Sequence, residues 1–84
     1  MKSFRIYTEN KNEKDIEEIC AQAFDGFTVI HTTGYWQHQK EKGIIIEILT
    51  DNKKLIHSLA GRLKRHNTQQ SIIVTETNQK VDFI

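Results

Sequence analysis

Gly34-Tyr35-Trp36-Gln37-His38-Gln39-Lys40-Glu41 concentrates the chain's single tryptophan, one of its two tyrosines, a histidine, two glutamines and a carboxylate in one short stretch. These side chains suit binding better than catalysis. An indole stacks on a planar ligand or anchors a subunit interface, because it offers a large apolar face with one polar handle. It also closes the end of a small core, so three roles stay open for Trp36. Glu41 supplies an acceptor for an amine or hydroxyl, and His38 adds a polar ring. Gly34, two residues before Trp36, marks a bulge or a close backbone approach.

The rest of the chain offers little reactive chemistry. No pair among His31, His38, His57 and His66 has the spacing of a helical metal site, and no Cys/His cluster has zinc spacing. Neither a metal nor another cofactor is expected. Cys20 lies on an apolar helix stripe and reads as a small core residue. Ser58 and Ser71 have no base at a recognisable spacing, and no glycine-rich loop is present to cradle phosphate. Lys and Arg exceed Asp and Glu by one, but the charges are segregated. Glu13, Asp15, Glu17 and Glu18 fall early, whereas Lys53, Lys54, Arg62, Lys64 and Arg65 fall late. A solvated basic helix face explains the late cluster. Nucleic acid is not an expected partner, because the third strand carries isoleucines where stacking rings would be needed.

The elements that must position the aromatic stretch follow from periodicity. Phe4, Ile6 and Thr8 alternate with Arg5 and Tyr7, giving a first strand. Asn12 caps a helix in which Ile16, Ile19, Cys20, Ala23 and Phe24 form one stripe, and Asp25-Gly26 ends it. Phe27–Thr32 and Gly43–Leu49 read as strands two and three, with the aromatic stretch as the loop between them. Asp51 caps a second helix whose stripe is Leu55, Ile56, Leu59, Ala60 and Leu63, with Asn67 as its exit. Ser71–Thr75 is a fourth strand, and Val81–Ile84 has the pattern for a short fifth. Two helical stripes sharing one face of a four-stranded antiparallel sheet make an α+β sandwich, the ferredoxin-like βαββαβ arrangement.

On that geometry Ile44, Ile46 and Ile48 face the helices, while Ile45, Glu47 and Leu49 stand on the open face beside Tyr7 and Ile73. Glu47 is expected to pair with Arg5 or a lysine across the strands. The open apolar face has the composition of an oligomer interface. The 84 residues make one domain, 1–84, with a modest core and no disulfide or metal to staple it. Domains of this kind often gain stability by associating. No apolar run approaches membrane-spanning length, and one free thiol without a secretory leader pattern places the chain in the cytoplasm.

Phe24-Asp25-Gly26-Phe27-Thr28-Val29, then Gly34-Tyr35-Trp36, then Glu41 ahead of Ile44-Ile45-Ile46, resembles two related patterns. One is a family of uncharacterised bacterial PII-like domains; the other is the bacteriophage enzymes that cleave S-adenosylmethionine. The match covers the middle third of the chain. Trp36 stands where the phage enzymes carry tyrosine, with Tyr35 one place earlier. The resemblance implies a PII-like homotrimer whose inter-subunit clefts receive a small, nucleoside-containing molecule. In that reading Gly34, Tyr35, Trp36, His38 and Glu41 line the cleft and Lys53 or Lys54 meets a phosphate; a phage-encoded sponge for a nucleotide signal fits the description. The alternative implied is an S-adenosylmethionine lyase releasing methylthioadenosine, with Glu41 and Tyr35 as its catalytic pair. A third reading, from the open sheet face, is a protein–protein interaction module.

Overall fold

In the computed structural model, which describes residues 1–84, the chain runs β1 (Lys2–Glu9), α1 (Glu13–Ala23), β2 (Thr28–Trp36), β3 (Gln39–Thr50), α2 (Lys53–His66) and β4 (Ile73–Asn78). The four strands form one antiparallel sheet in the order β2-β3-β1-β4. This is the α+β, ferredoxin-like sandwich that the periodicities predict. No helix is long and apolar enough to cross a membrane.

β3 carries the core because its isoleucines alternate faces. Ile44, Ile46 and Ile48 are buried with Phe4 and Ile6 of β1, Ile16 and Cys20 of α1, and Ile56, Leu59, Ala60 and Leu63 of α2. Burying an isoleucine side chain stabilises the fold by about 1.5–3 kcal/mol, so this row dominates a small core. The other face of the sheet has no helical cover. Its register sets Ile30 beside Ile45, Ile45 beside Tyr7, and Tyr7 beside Ile73. One apolar row thus crosses all four strands, ending on an Ile73 that is 62 % exposed. The next row is polar: Arg5 Nε donates to Glu47 Oε2 at 2.8 Å, the cross-strand pair expected from the sequence.

Boundaries differ from the sequence expectation in four places. Asn52, not Asp51, caps α2: its side chain accepts from the Leu55 N–H at 3.1 Å. Thr50 Oγ1 accepts from the Asn52 N–H, which shifts the helix start by one residue, and Asp51 Oδ1 accepts from the Lys2 N–H instead. β4 starts at Ile73 and reaches Asn78, because its pairing with β1 extends to Lys2↔Asn78. Val81–Ile84 adds no fifth strand. The Gln79 N–H donates to the Met1 carbonyl at 2.9 Å, so the chain continues alongside β1 where a reversal would be needed to pair with β4. The fourth difference is the aromatic stretch, which is strand and not loop.

Cys20 is fully buried, and burial pushes its thiol up to about 11 from an ordinary value of 9.0. The folded protein is therefore expected to resist thiol reagents at about pH 8 and to react once unfolded in urea. The sign of the linkage follows from a folded value above the unfolded one. This contribution is intact below about pH 9 and is lost as pH rises through about 11, where the unfolded chain ionises first. Urea midpoints that stay flat across that range would contradict the buried placement.

Candidate functional site

β2 and β3 continue past the point where β1 stops. β1 ends at Glu9, paired with Gly43, whereas β2 and β3 pair onward from Thr33↔Lys42 through Gly34↔Glu41 and Tyr35↔Lys40 to Trp36↔Gln39. The result is a two-stranded ribbon projecting from the sheet, closed by a two-residue turn at Gln37 and His38. Both turn residues have positive φ, 48° and 65°, as a tight hairpin requires. Such turns normally use asparagine and glycine, and a side chain held there costs about 1–2 kcal/mol. The absence of that signal is why the sequence reads as a loop.

Pairing in the ribbon sorts the candidate residues. Gly34 lies directly opposite Glu41, and Trp36 follows on the same face, which continues the open face of the sheet. Tyr35 falls on the opposite, helix-side face. Trp36 is 66 % and Tyr35 73 % exposed. A second glycine, Gly43, pairs with Thr32 one step nearer the sheet. Gly34 leaves a bare shelf of backbone beside Trp36, with Glu41 opposite it, whereas Thr32 Oγ1 closes over Gly43.

The two glycines are there for different reasons. A Cβ on Gly43 would lie 2.9 Å from Thr32 Oγ1 and 3.2 Å from the Thr8 carbonyl, whereas a Cβ on Gly34 would meet nothing within 4 Å. Gly43→Ala is expected to cost about 1–3 kcal/mol by overpacking. Gly34→Ala should stay within about 0.5 kcal/mol of the parent. Equal destabilisation of the two variants in urea melts would contradict this geometry.

Facing the ribbon across the end of β1 is the turn between α2 and β4. The two sides enclose an open cleft of about 750 Å³, bordered by Tyr7, Glu9, Gly34, Trp36, Glu41 and Gln69 among others. A buried polar knot holds the far wall in place. Asn67, 2 % exposed, donates through Nδ2 to Thr8 Oγ1 at 2.7 Å and to Gln69 Oε1 at 3.0 Å. Thr8 Oγ1 donates to the same Gln69 oxygen at 2.8 Å, and Gln69 Nε2 donates to the Ser71 carbonyl. Asn67 is thus the helix exit expected from the sequence. The bonds that join Asn67 and Gln69 to Thr8 span 59 and 61 residues and have no local sequence signal.

The charged groups at the cleft are Glu9, Glu41 and Lys42. Glu9 is joined to Lys11 at 3.0 Å. Three other candidates lie away from the shelf. His38 is at the ribbon tip, and Lys53 and Lys54 begin α2, at the other end of β3. At ~3.3 Å per residue the length of β3 separates them from the turn by roughly 35 Å. Lys53 Nζ contacts Glu76 at 3.3 Å. The hydrogen bond from Lys53, helped by Lys2, holds the Glu76 carboxyl below its ordinary range. Of the other histidines, His31 is bonded to Glu13, and His66 lies 3.6 Å from Asp15. The structure therefore brings Gly34, Trp36 and Glu41 onto one face and adds Glu9, Thr32, Gly43 and Gln69, which sequence reasoning missed.

No protein-family model matches the chain, and no curated protein does. Solved structures do share its fold. A phage S-adenosylmethionine lyase in its apo state superposes with a TM-score of 0.71 at 18% identity, over 90% of this chain and 78% of that one. CPII from Thiomonas intermedia, a nitrogen regulatory PII-like protein bound to ADP, AMP and bicarbonate, gives 0.69 at 18% identity, over 99% and 93%. A DUF3240 family protein from Shewanella baltica gives 0.72 at 12% identity, over the same shares. The fold is accordingly PII-like as well as ferredoxin-like.

Proposed function

We propose that this chain is a small-molecule-binding protein that works as a homotrimer in the cytoplasm, with one nucleoside-containing ligand per cleft. The observation that carries the reading is the joint placement of Gly34, Trp36 and Glu41 on one face of the ribbon, at the mouth of a cleft of ligand size. Trp36 stacks on the base across the bare shelf, and Glu41 accepts hydrogen bonds from a ribose or amine. Tyr35 borders the same cleft from the other face of the ribbon, and His38, at its tip, meets the neighbouring subunit's ligand. Lys53 and Lys54 reach a phosphate only from a neighbouring subunit. The uncovered row Ile30, Ile45, Tyr7 and Ile73 supports association through the open sheet face. CPII, which shares the fold, is bound to ADP and AMP. A phage-encoded sponge for a nucleotide signal is one form this activity takes. Native mass spectrometry of protein taken from cells reads subunit number and retained small molecule together. Three chains with a nucleoside-sized adduct are expected; a bare monomer at micromolar concentration overturns the reading.

A second reading rests on the charge of the cleft. Glu9 is held by Lys11, which leaves Glu41 as the carboxylate at the cleft without an ion pair, suited to a cationic group such as the amine or sulfonium of S-adenosylmethionine. In the lyase reading the substrate's own carboxylate attacks its γ-carbon, forming the C–O bond of homoserine lactone as the C–S bond breaks and its electron pair leaves with methylthioadenosine, so positioning by Glu41 and Tyr35 matters more than a side-chain nucleophile. Incubation with S-adenosylmethionine, followed for methylthioadenosine, separates the two. Product marks an enzyme, and its absence from correctly assembled protein excludes the lyase.

A further inference from the structure

The side of the molecule away from the open face carries a second feature, most of which ligand binding does not use. α1 has four acids, Glu13, Asp15, Glu17 and Glu18, against one lysine, while α2 has five cations and no acid. Part of this charge is satisfied within the chain: Glu13 by His31, Asp15 by His66 and Lys53 by Glu76. Glu17 and Glu18 on α1, and Lys64 and Arg65 on α2, make no ion pair.

We propose that this helical layer is a self-complementary docking surface for a second copy of the chain, with α1 of each copy lying on α2 of the other. Two contacts fix the relative heights of the helices. Asp15 is level with His66, and Gln22 with Arg62, which it meets at 2.6 Å, so the helices run antiparallel with Glu17 and Glu18 level with Lys64 and Arg65. A two-fold axis parallel to the helices exchanges left and right but preserves height. It sets Glu17 and Glu18 against Lys64 and Arg65 of the second copy, twice per interface. An axis across the helices would instead set acid on acid. A polyanion is the weaker occupant. Bound to Lys64 and Arg65, it would pass within one interhelix spacing, about 8–10 Å, of Glu17 and Glu18. That is about one Debye length at physiological salt, so the repulsion is felt.

Sedimentation velocity of the full chain tests this, because salt shortens the Debye length from about 10 Å at 0.1 M to about 3 Å at 1 M. The sedimentation coefficient is expected to be larger at 0.1 M than at 1 M NaCl, whatever assembly the apolar sheet face adds independently of salt. Two charge-reversed chains, E17K/E18K and K64E/R65E, should each lose the low-salt species. Mixing them should restore it, since each then offers the other an opposite surface. Glu17, Glu18 and Arg65 are exposed and Lys64 is half-buried, and circular dichroism checks that both variants fold. Association that ignores salt, that survives in either variant alone, or that fails to return on mixing overturns the proposal. So does a wild-type chain that binds an oligonucleotide on α2 but shows no salt-sensitive self-association.

Discussion

Ile46→Ala is expected to destabilise the protein by about 2–5 kcal/mol, the range for truncating a fully buried isoleucine and leaving its cavity. Ile46 has no exposed surface and sits at the centre of the sheet, paired with Ile6 on one side and Val29 on the other. Its side chain lies under both helices in the only core of the molecule. A chain of 84 residues has a total stability of about 4–13 kcal/mol, so this single change removes a large part of it. The midpoint of thermal unfolding should fall by about 10–30 °C at fixed protein concentration. Ile46→Val should cost only about 0.5–1.5 kcal/mol, which separates cavity formation from any effect of strand propensity. Comparable losses from the two variants would contradict the packing described for β3.

Ile45→Lys tests the neighbouring residue, which points the opposite way. It is expected to leave the fold intact and to weaken self-association at least about thirty-fold, equivalent to about 2 kcal/mol at each contact. Ile45 lies between Ile30 and Tyr7 in the apolar row that no helix covers. A lysine there keeps its ammonium in water on a free chain but strands it inside any interface built on this face. In 1 M NaCl, where the charges of the helical layer are screened, sedimentation should show monomer at concentrations where the parent is assembled, with an unchanged far-ultraviolet spectrum. An assembly that tolerates Ile45→Lys does not use the open face.

The contrast between Ile45 and Ile46 shows why the fold was legible in the sequence. Period-two alternation in Ile44–Leu49 separates a buried face from an open one without knowledge of the partners, and the helical stripes supply the cover. The Arg5–Glu47 pair follows from the same alternation. What was not legible depended on tertiary pairing or on unusual turn chemistry. Gln37 and His38 turn the chain at positive φ without a glycine, so a ribbon reads as a loop. Gly43 is dictated by the approach of Thr32 and Thr8, which only the paired register reveals. The far wall of the cleft, built on Asn67, Thr8 and Gln69, joins segments that are distant in the chain. Lys53 and Lys54 failed to join the shelf for a simple reason: a long β3 carries them away from the hairpin it begins with.

Trp36 is the only tryptophan and stands at the edge of the shelf, so its fluorescence reports the cleft without a label. Titrating the assembled protein with AMP, ADP and S-adenosylmethionine is the most direct measurement of whether a nucleoside-containing molecule enters there. At least one ligand is predicted to change the emission saturably, at one equivalent per chain, and Glu41→Gln is predicted to weaken that binding about ten-fold, equivalent to ~1.4 kcal/mol. Emission unchanged by all three up to about 1 mM, where even binding of about −4 kcal/mol would register, would contradict the account.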